Sequence, residues 1–381
     1  MRMDFRLLIV PCLLMAVLAP SSAAEKDKMQ FWDKQQRGAN IFNEEISGDD
    51  IRIAKEYGIA FIRLAPDKFI SEARDFLIGD ADNYQGLVPK DLRKLKGILD
   101  MFHEEKMPVL VTVLSLPGSR WRQNNNGKDD LRIWRDKKFQ NQAAMFWQDL
   151  SREISSHPAV VGFNILNEPH PEKLYSQGNL NKTEVQSMLF DFYDLVIGSI
   201  READKNIPII LDSSAYADPG AFQQLKKHKD KKVLYSFHMY EPYAYTNRKL
   251  NDGKFQYPGL VNEIYWDYTA LKNYMSDVLA FQKANRISNN RILVGEFGGH
   301  RMSKGLPGYF EDLTEFFNEN GWHYAFYAFR EDTWDGMDYE LGDGRMPWSY
   351  WQALERGDKP VVDRNPDTPS FKAILDSMKK P

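Results

Sequence analysis

Cysteine is nearly absent from these 381 residues; the single one is Cys12. It lies in an apolar stretch at the start, so the rest of the chain can form neither a disulfide nor a thiolate metal site. An excess of one charge is missing too. The 50 basic and 54 acidic residues are well mixed, for a net charge of -4. That leaves no basic stripe for nucleic acid and no charge block of the kind that marks a solvated tail. There is no internal repeat, no low-complexity linker and no Gly-rich turn after an early strand, which weighs against a dinucleotide-binding fold. Beyond the first residues no apolar run is long enough to span a membrane. Without disulfides, stability has to come from a large core, and that suits one big domain.

What is present begins with a leader pattern. Arg2 and Arg6 precede a mainly apolar run from Leu7 to Leu18, and Ser22-Ala23-Ala24 supplies small residues. This predicts a signal peptide over 1–24, cleaved before Glu25, and a secreted or periplasmic protein. In the remaining 25–381, apolar strand-like runs alternate with helical patterns. The predicted strands are Ala39–Phe42, Ala60–Leu64, Val109–Leu114, Val160–Leu166, Pro208–Asp212, Val233–His238, Ile292–Glu296 and Tyr324–Phe329. Helical spacing predicts helices over Asp91–Glu105, Phe139–Ser155, Asp267–Ala284, Tyr309–Glu319 and Ser370–Lys379. Eight such units imply an α/β fold with a parallel sheet, expected to close as a (β/α)8 TIM barrel in one domain.

Two of these strands deliver a carboxylate to their carboxyl ends, where such barrels carry their chemistry. Asn164-Ile165-Leu166-Asn167-Glu168-Pro169 ends strand four with Glu168, and Ile292-Leu293-Val294-Gly295-Glu296 ends strand seven with Glu296. Those strands face each other across a barrel mouth. A pair of carboxyls, one protonated and one ionised, is what glycoside cleavage needs. Arg63 closes a third apolar strand, where a charge is costly unless paired. His238 and Tyr240 share one direction along strand six. A lone histidine is more often a core residue; Tyr240 beside it moves the reading toward the site. The remaining histidines show no metal-ligand spacing, so no metal and no cofactor are expected. Aromatics make up 13% of the chain, enough to fill a core and also line a groove for flat, amphipathic sugars. Trp121 and Trp134 after strand three, and Tyr243, Tyr245, Tyr257 and Trp266 after strand six, are the loop candidates; Trp147 and Trp322 read as packing.

The segments Arg37-Gly38-Ala39-Asn40, Ile62-Arg63-Leu64, Leu166-Asn167-Glu168-Pro169-His170, His238-Met239-Tyr240 and Gly295-Glu296-Phe297-Gly298 resemble, in order and spacing, glycoside hydrolase family 5. The resemblance covers nearly all of the chain after the leader. It implies a retaining β-glycosidase, cellulase- or mannanase-like, with Glu168 as acid/base and Glu296 as nucleophile. It also implies that Arg63, Asn167, His238 and Tyr240 line the cleavage subsite, with Asn167 near the sugar 2-hydroxyl. Two features depart from the family's pattern: no histidine follows strand three, and Tyr327 and Phe329 stand where a strand-eight tryptophan is usual. Tyr327, Phe329, Trp334 and Trp121 are therefore the expected sugar-stacking residues. The expected partner is a polysaccharide or oligosaccharide, bound by a monomer. An endo-acting β-1,4-glucanase is the leading expectation. A β-mannanase, an exo-acting β-glucosidase and a non-catalytic carbohydrate-binding barrel are the alternatives.

Overall fold

The computed structural model describes residues 27–177, 182–250, 252–332, 334–358 and 360–379. The predicted leader, 1–24, lies outside them. Among the described residues ten strands form: β1 Arg37–Ile41, β2 Ile62–Leu64, β3 Val109–Thr112, β4 Val160–Asn164, β5 Ile209–Asp212, β6 Val233–Met239, β7 Gly259–Val261, β8 Ile264–Trp266, β9 Ile292–Phe297 and β10 His323–Phe326. Eight of them close a parallel barrel in the order β1-β10-β9-β6-β5-β4-β3-β2, the architecture expected from the alternating pattern. The other two, β7 and β8, pair as an antiparallel hairpin inside the long insertion after β6; strand patterning did not reveal it.

The helices behind the barrel bury the stripes their spacing dictates. Lys137–Ile154 starts at Asp136, whose carboxylate accepts from the Lys138 amide, a standard N-cap. It buries Phe139, Ala143, Phe146, Trp147, Leu150 and Ile154. Trp147 also donates from Nε1 to the Ile165 carbonyl at 3.0 Å, bracing the segment that leads to Glu168. The predicted helix Asp267–Ala284 is in fact two, Tyr268–Tyr274 and Ser276–Asn285, broken at Met275. Trp322 is fully buried and donates to Gln282 at 2.9 Å. Among the described residues, no helix is long and apolar enough to cross a membrane.

A separate cluster plugs the barrel at the strands' amino ends. Trp32, Phe61, Leu110, Val161, Ile210, Leu234, Leu293 and Ala325 are buried together. A Cβ at Gly38 would stand 2.5 Å from the Phe61 ring, so glycine there makes room for the plug. With that end filled, the open mouth lies at the carboxyl ends.

Candidate active site

Arg63 lies at the centre of the mouth, wholly buried on β2. Its guanidinium donates to Asn40 Oδ1 at 2.9 Å, Asn164 Oδ1 at 2.7 Å, Asn167 Oδ1 at 2.7 Å and Glu296 Oε1 at 2.8 Å. It also lies 3.6 Å from Asp212. The second oxygen of Glu296 accepts from the Tyr240 hydroxyl at 2.7 Å. Both Glu296 oxygens are thus held by fixed donors, which locks the carboxylate's orientation.

Opposite lies Glu168, whose Oε1 accepts from His238 Nδ1 at 2.9 Å. The ligand atoms of Glu168, His238 and Glu296 all lie within 4.8 Å of one another, so the two carboxyls face each other across one small gap. An irregularity between Phe237 and His238 brings His238 into register with Glu296, a common use of bulges beside functional sites. A Cβ at Gly295 would come within 3.0 Å of His238 Nε2, so glycine there lets the imidazole sit against β9. Glu168 itself lies beyond the end of β4, at φ +50°. That left-handed conformation is costly for a residue with a side chain and is typical of residues held for function.

Electrostatics favours a proton on Glu168. Burial pushes the Glu168 pKa up; the hydrogen bond from His238 partly offsets this, and the Glu296 charge raises it further. Burial opposes charge on His238, yet the carboxylates of Glu296, Asp212 and Glu168 raise its pKa overall. Burial, then the charge of Glu296, drives the Tyr240 pKa well above its usual value, so its hydroxyl stays a donor. Three carboxyls (Glu168, Glu296, Asp212) thus meet two cationic groups, Arg63 and His238. Burial and the neighbouring Glu296 charge favour the protonated form of Glu168. Glu168, His238 and Glu296 are near enough to share a metal ion, but a cation would have to sit beside Arg63 and displace the donors already on Glu296.

The cleft above has a volume of about 1070 Å³ and is lined by Glu168, His238, Tyr240, Glu296, Tyr327, Trp334 and Trp121, among others. Arg63 lies behind this wall and reaches the cleft through Glu296. Asn167 is half-buried on Arg63. Phe329 requires correction: it is buried, its ring 6.3 Å from that of Tyr57, and it does not line the cleft. The reason is that β10 stops at Phe326, three residues short of the predicted end, so the alternation that put Tyr327 and Phe329 on one face does not apply. Of the loop aromatics, Trp121 and Tyr243 line the cleft, whereas Trp134, Tyr245, Tyr257 and Trp266 are buried. The sequence reading did not single out Asp212, Asn164, Lys68 or Glu331. Asp212 closes β5 as Arg63 closes its own segment, and the same argument would have found it. Lys68 and Glu331 pair at 2.8 Å on the cleft wall, and Glu331 also accepts from the Tyr327 hydroxyl at 2.7 Å; nothing local in the sequence links them.

A closed parallel barrel with two carboxyls facing each other across its mouth is a frame shared by many enzymes that act on sugars. Residues 24–333 match the model of the cellulase family, glycosyl hydrolase family 5, and the chain belongs to that family. It is 20% identical over 203 residues to cellodextrinase A of Ruminococcus flavefaciens, covering 53% of this chain and 54% of that protein. It is 21% identical over 210 residues to endoglucanase C of Acetivibrio thermocellus, covering 55% and 54%. The matches thus span about half the length of these curated relatives. The endoglucanase Cel5A of Thermotoga maritima superposes with a TM-score of 0.63 at 16% identity, over 92% of this chain and 98% of that one. Its complex with mannotriose gives 0.64 at 16% identity, over 92% and 100%. At such identity these structures share the fold.

Proposed function

We propose that the protein is a retaining glycoside hydrolase that cuts β-1,4-linked polysaccharide within the chain. Glu296 is the nucleophile and Glu168 the acid/base. The observation that carries this reading is that one oxygen of each carboxyl lies within 4.8 Å of the other. Inverting enzymes need about 6.5–9.5 Å to admit a water between the two groups, whereas retaining ones use about 5–5.5 Å. In the first step Glu296, aimed by Arg63 and Tyr240, attacks the anomeric carbon while Glu168 gives its proton to the departing oxygen. In the second, Glu168 takes a proton from water, which attacks the same carbon and frees Glu296. Asn167, pinned by Arg63, is the residue assigned to the sugar 2-hydroxyl.

Cutting within the chain is supported by a cleft of about 1070 Å³, at the top of the range of about 300–1,000 Å³ usual for small-ligand sites. Both glucan and mannan stay within the proposal, because Tyr327 rather than tryptophan stands at the cleft wall. The test is a reducing-end assay on soluble β-glucan, mannan, xylan and xyloglucan, with Glu296→Gln as control. Early release of mixed oligomers by the wild type, abolished in the variant, is expected. Near-normal turnover by Glu296→Gln overturns the assignment, and binding without cleavage leaves a carbohydrate-binding barrel. Export by the leader belongs to the same proposal; sequencing of the secreted protein should begin at Glu25.

A further inference from the structure

Three consecutive residues just past β5, Ala215, Tyr216 and Ala217, have φ of 54°, 63° and 60°. L-residues adopt this left-handed region singly and at a cost, so a run of three without glycine is held in place by its surroundings. The clamps come from the segment that follows Glu168. The Ala215 amide donates to Glu172 Oε2 at 3.0 Å, and the Tyr216 amide donates to the Pro169 carbonyl at 3.3 Å. The clamped turn sets the Tyr216 ring flat against His170, centroids 4.5 Å apart and planes 12° apart. His170 in turn donates from Nδ1 to the Glu168 carbonyl at 2.9 Å. Tyr216 nevertheless stays 44% exposed and lines the cleft. The strained turn thus holds a part-exposed aromatic ring at the cleft, backed by His170, with Lys173 Nζ 5.1 Å from its centroid, and tied to the acid/base segment.

We propose that Tyr216 is the specificity-determining residue on the leaving-group side, where its ring holds the sugar that departs. The proposal rests on the hydrolase reading above. Glu168 follows β4 and Tyr216 follows β5, neighbouring strands of the barrel. Its contacts with Pro169 and His170 tie Tyr216 to the segment of Glu168, which meets the departing oxygen. The part of an aromatic ring left exposed binds the apolar face of a pyranose, and the Lys173 ammonium beside the ring can donate to the sugar's hydroxyls, so this side favours a sugar leaving group over a small one, as cleavage inside a polymer requires.

The test compares wild type, Tyr216→Ala and Tyr216→Phe on two substrates: cellotetraose or mannotetraose, whichever the wild type cleaves, and the matching biosyl fluoride, whose leaving group carries no ring. Alanine keeps a Cβ, so the left-handed turn is neither relieved nor worsened. Tyr216→Ala should lose about tenfold in kcat/KM on the tetraose, mainly through KM, a change equal to about 1.4 kcal/mol. It should stay within about twofold on the fluoride, and Tyr216→Phe should stay near wild type on both. Equal losses on the two substrates reveal a merely structural role and overturn the proposal, as does an unaffected tetraose rate. A wild type that cleaves neither substrate ends the hydrolase reading itself, and this assignment with it.

Discussion

Glu168→Ala removes the group to which the mechanism gives two tasks, and the structure sets the size of each effect. A positioned acid or base is worth about 10²–10⁴ in rate, or roughly 2.7–5.5 kcal/mol at 1.36 kcal/mol per decade. Folding should be spared. Alanine keeps a Cβ at φ +50°, so the strain at that position is unchanged, and the deleted carboxyl is one that burial and the Glu296 charge already disfavour in its ionised form. His238 keeps Asp212 at 3.5 Å and Glu296 at 3.7 Å. The assay is kcat/KM on two substrates. A cello- or manno-oligosaccharide, whose alcohol leaving group needs a proton, should fall by about 10³. A dinitrophenyl glycoside, which departs as a stable anion, should fall by less than about tenfold. The second step then limits turnover, and added azide, which needs no base, should restore it and yield a β-glycosyl azide. Equal losses on both substrates, or an azide product of inverted configuration, would refute the acid/base assignment.

Three further outcomes are expected. Because burial and Glu296 raise the Glu168 pKa and the protonated form is the active acid, kcat/KM should fall as pH rises through that raised pKa. This limb should vanish for Glu168→Ala on the dinitrophenyl substrate, and its persistence would assign it to another group. Arg63→Met takes from buried Glu296 and Asp212 the guanidinium that pairs with both, leaving them with His238, which should cost about 3–5 kcal/mol in denaturant unfolding; a loss under about 1 kcal/mol would mean that solvent reaches the pair. Phe329→Ala should cost about 3–5 kcal/mol as a core cavity while the preference between glucan and mannan oligomers holds. A shifted preference would return Phe329 to the cleft.

The barrel was legible because its signals are local. Alternating apolar runs and helical stripes such as Leu95, Leu99 and Phe102 encode buried faces through periodicity alone. An end-of-strand charge such as Arg63 or Glu296 announces itself by its cost. The failures share a cause as well. Phe329 and Trp134 carry the same chemistry as Tyr327 and Trp121, and only the neighbours supplied by distant segments decide which rings stay open to the cleft. Left-handed backbone at Glu168 and at Ala215–Ala217 has no glycine to signal it; it is held by contacts with other segments, such as Ala215 with Glu172 and the Glu168 amide with Asp212.

From the sequence alone came the strand–helix alternation, the resemblance to the family and the two glutamates as candidates, all written in residue type and spacing. Tertiary structure alone decided that those glutamates come within 4.8 Å, that burial and charge raise the proton affinity of Glu168, and that Tyr216 lines the same cleft. Distance and desolvation depend on segments more than a hundred residues apart, and closing the barrel is what brings them together.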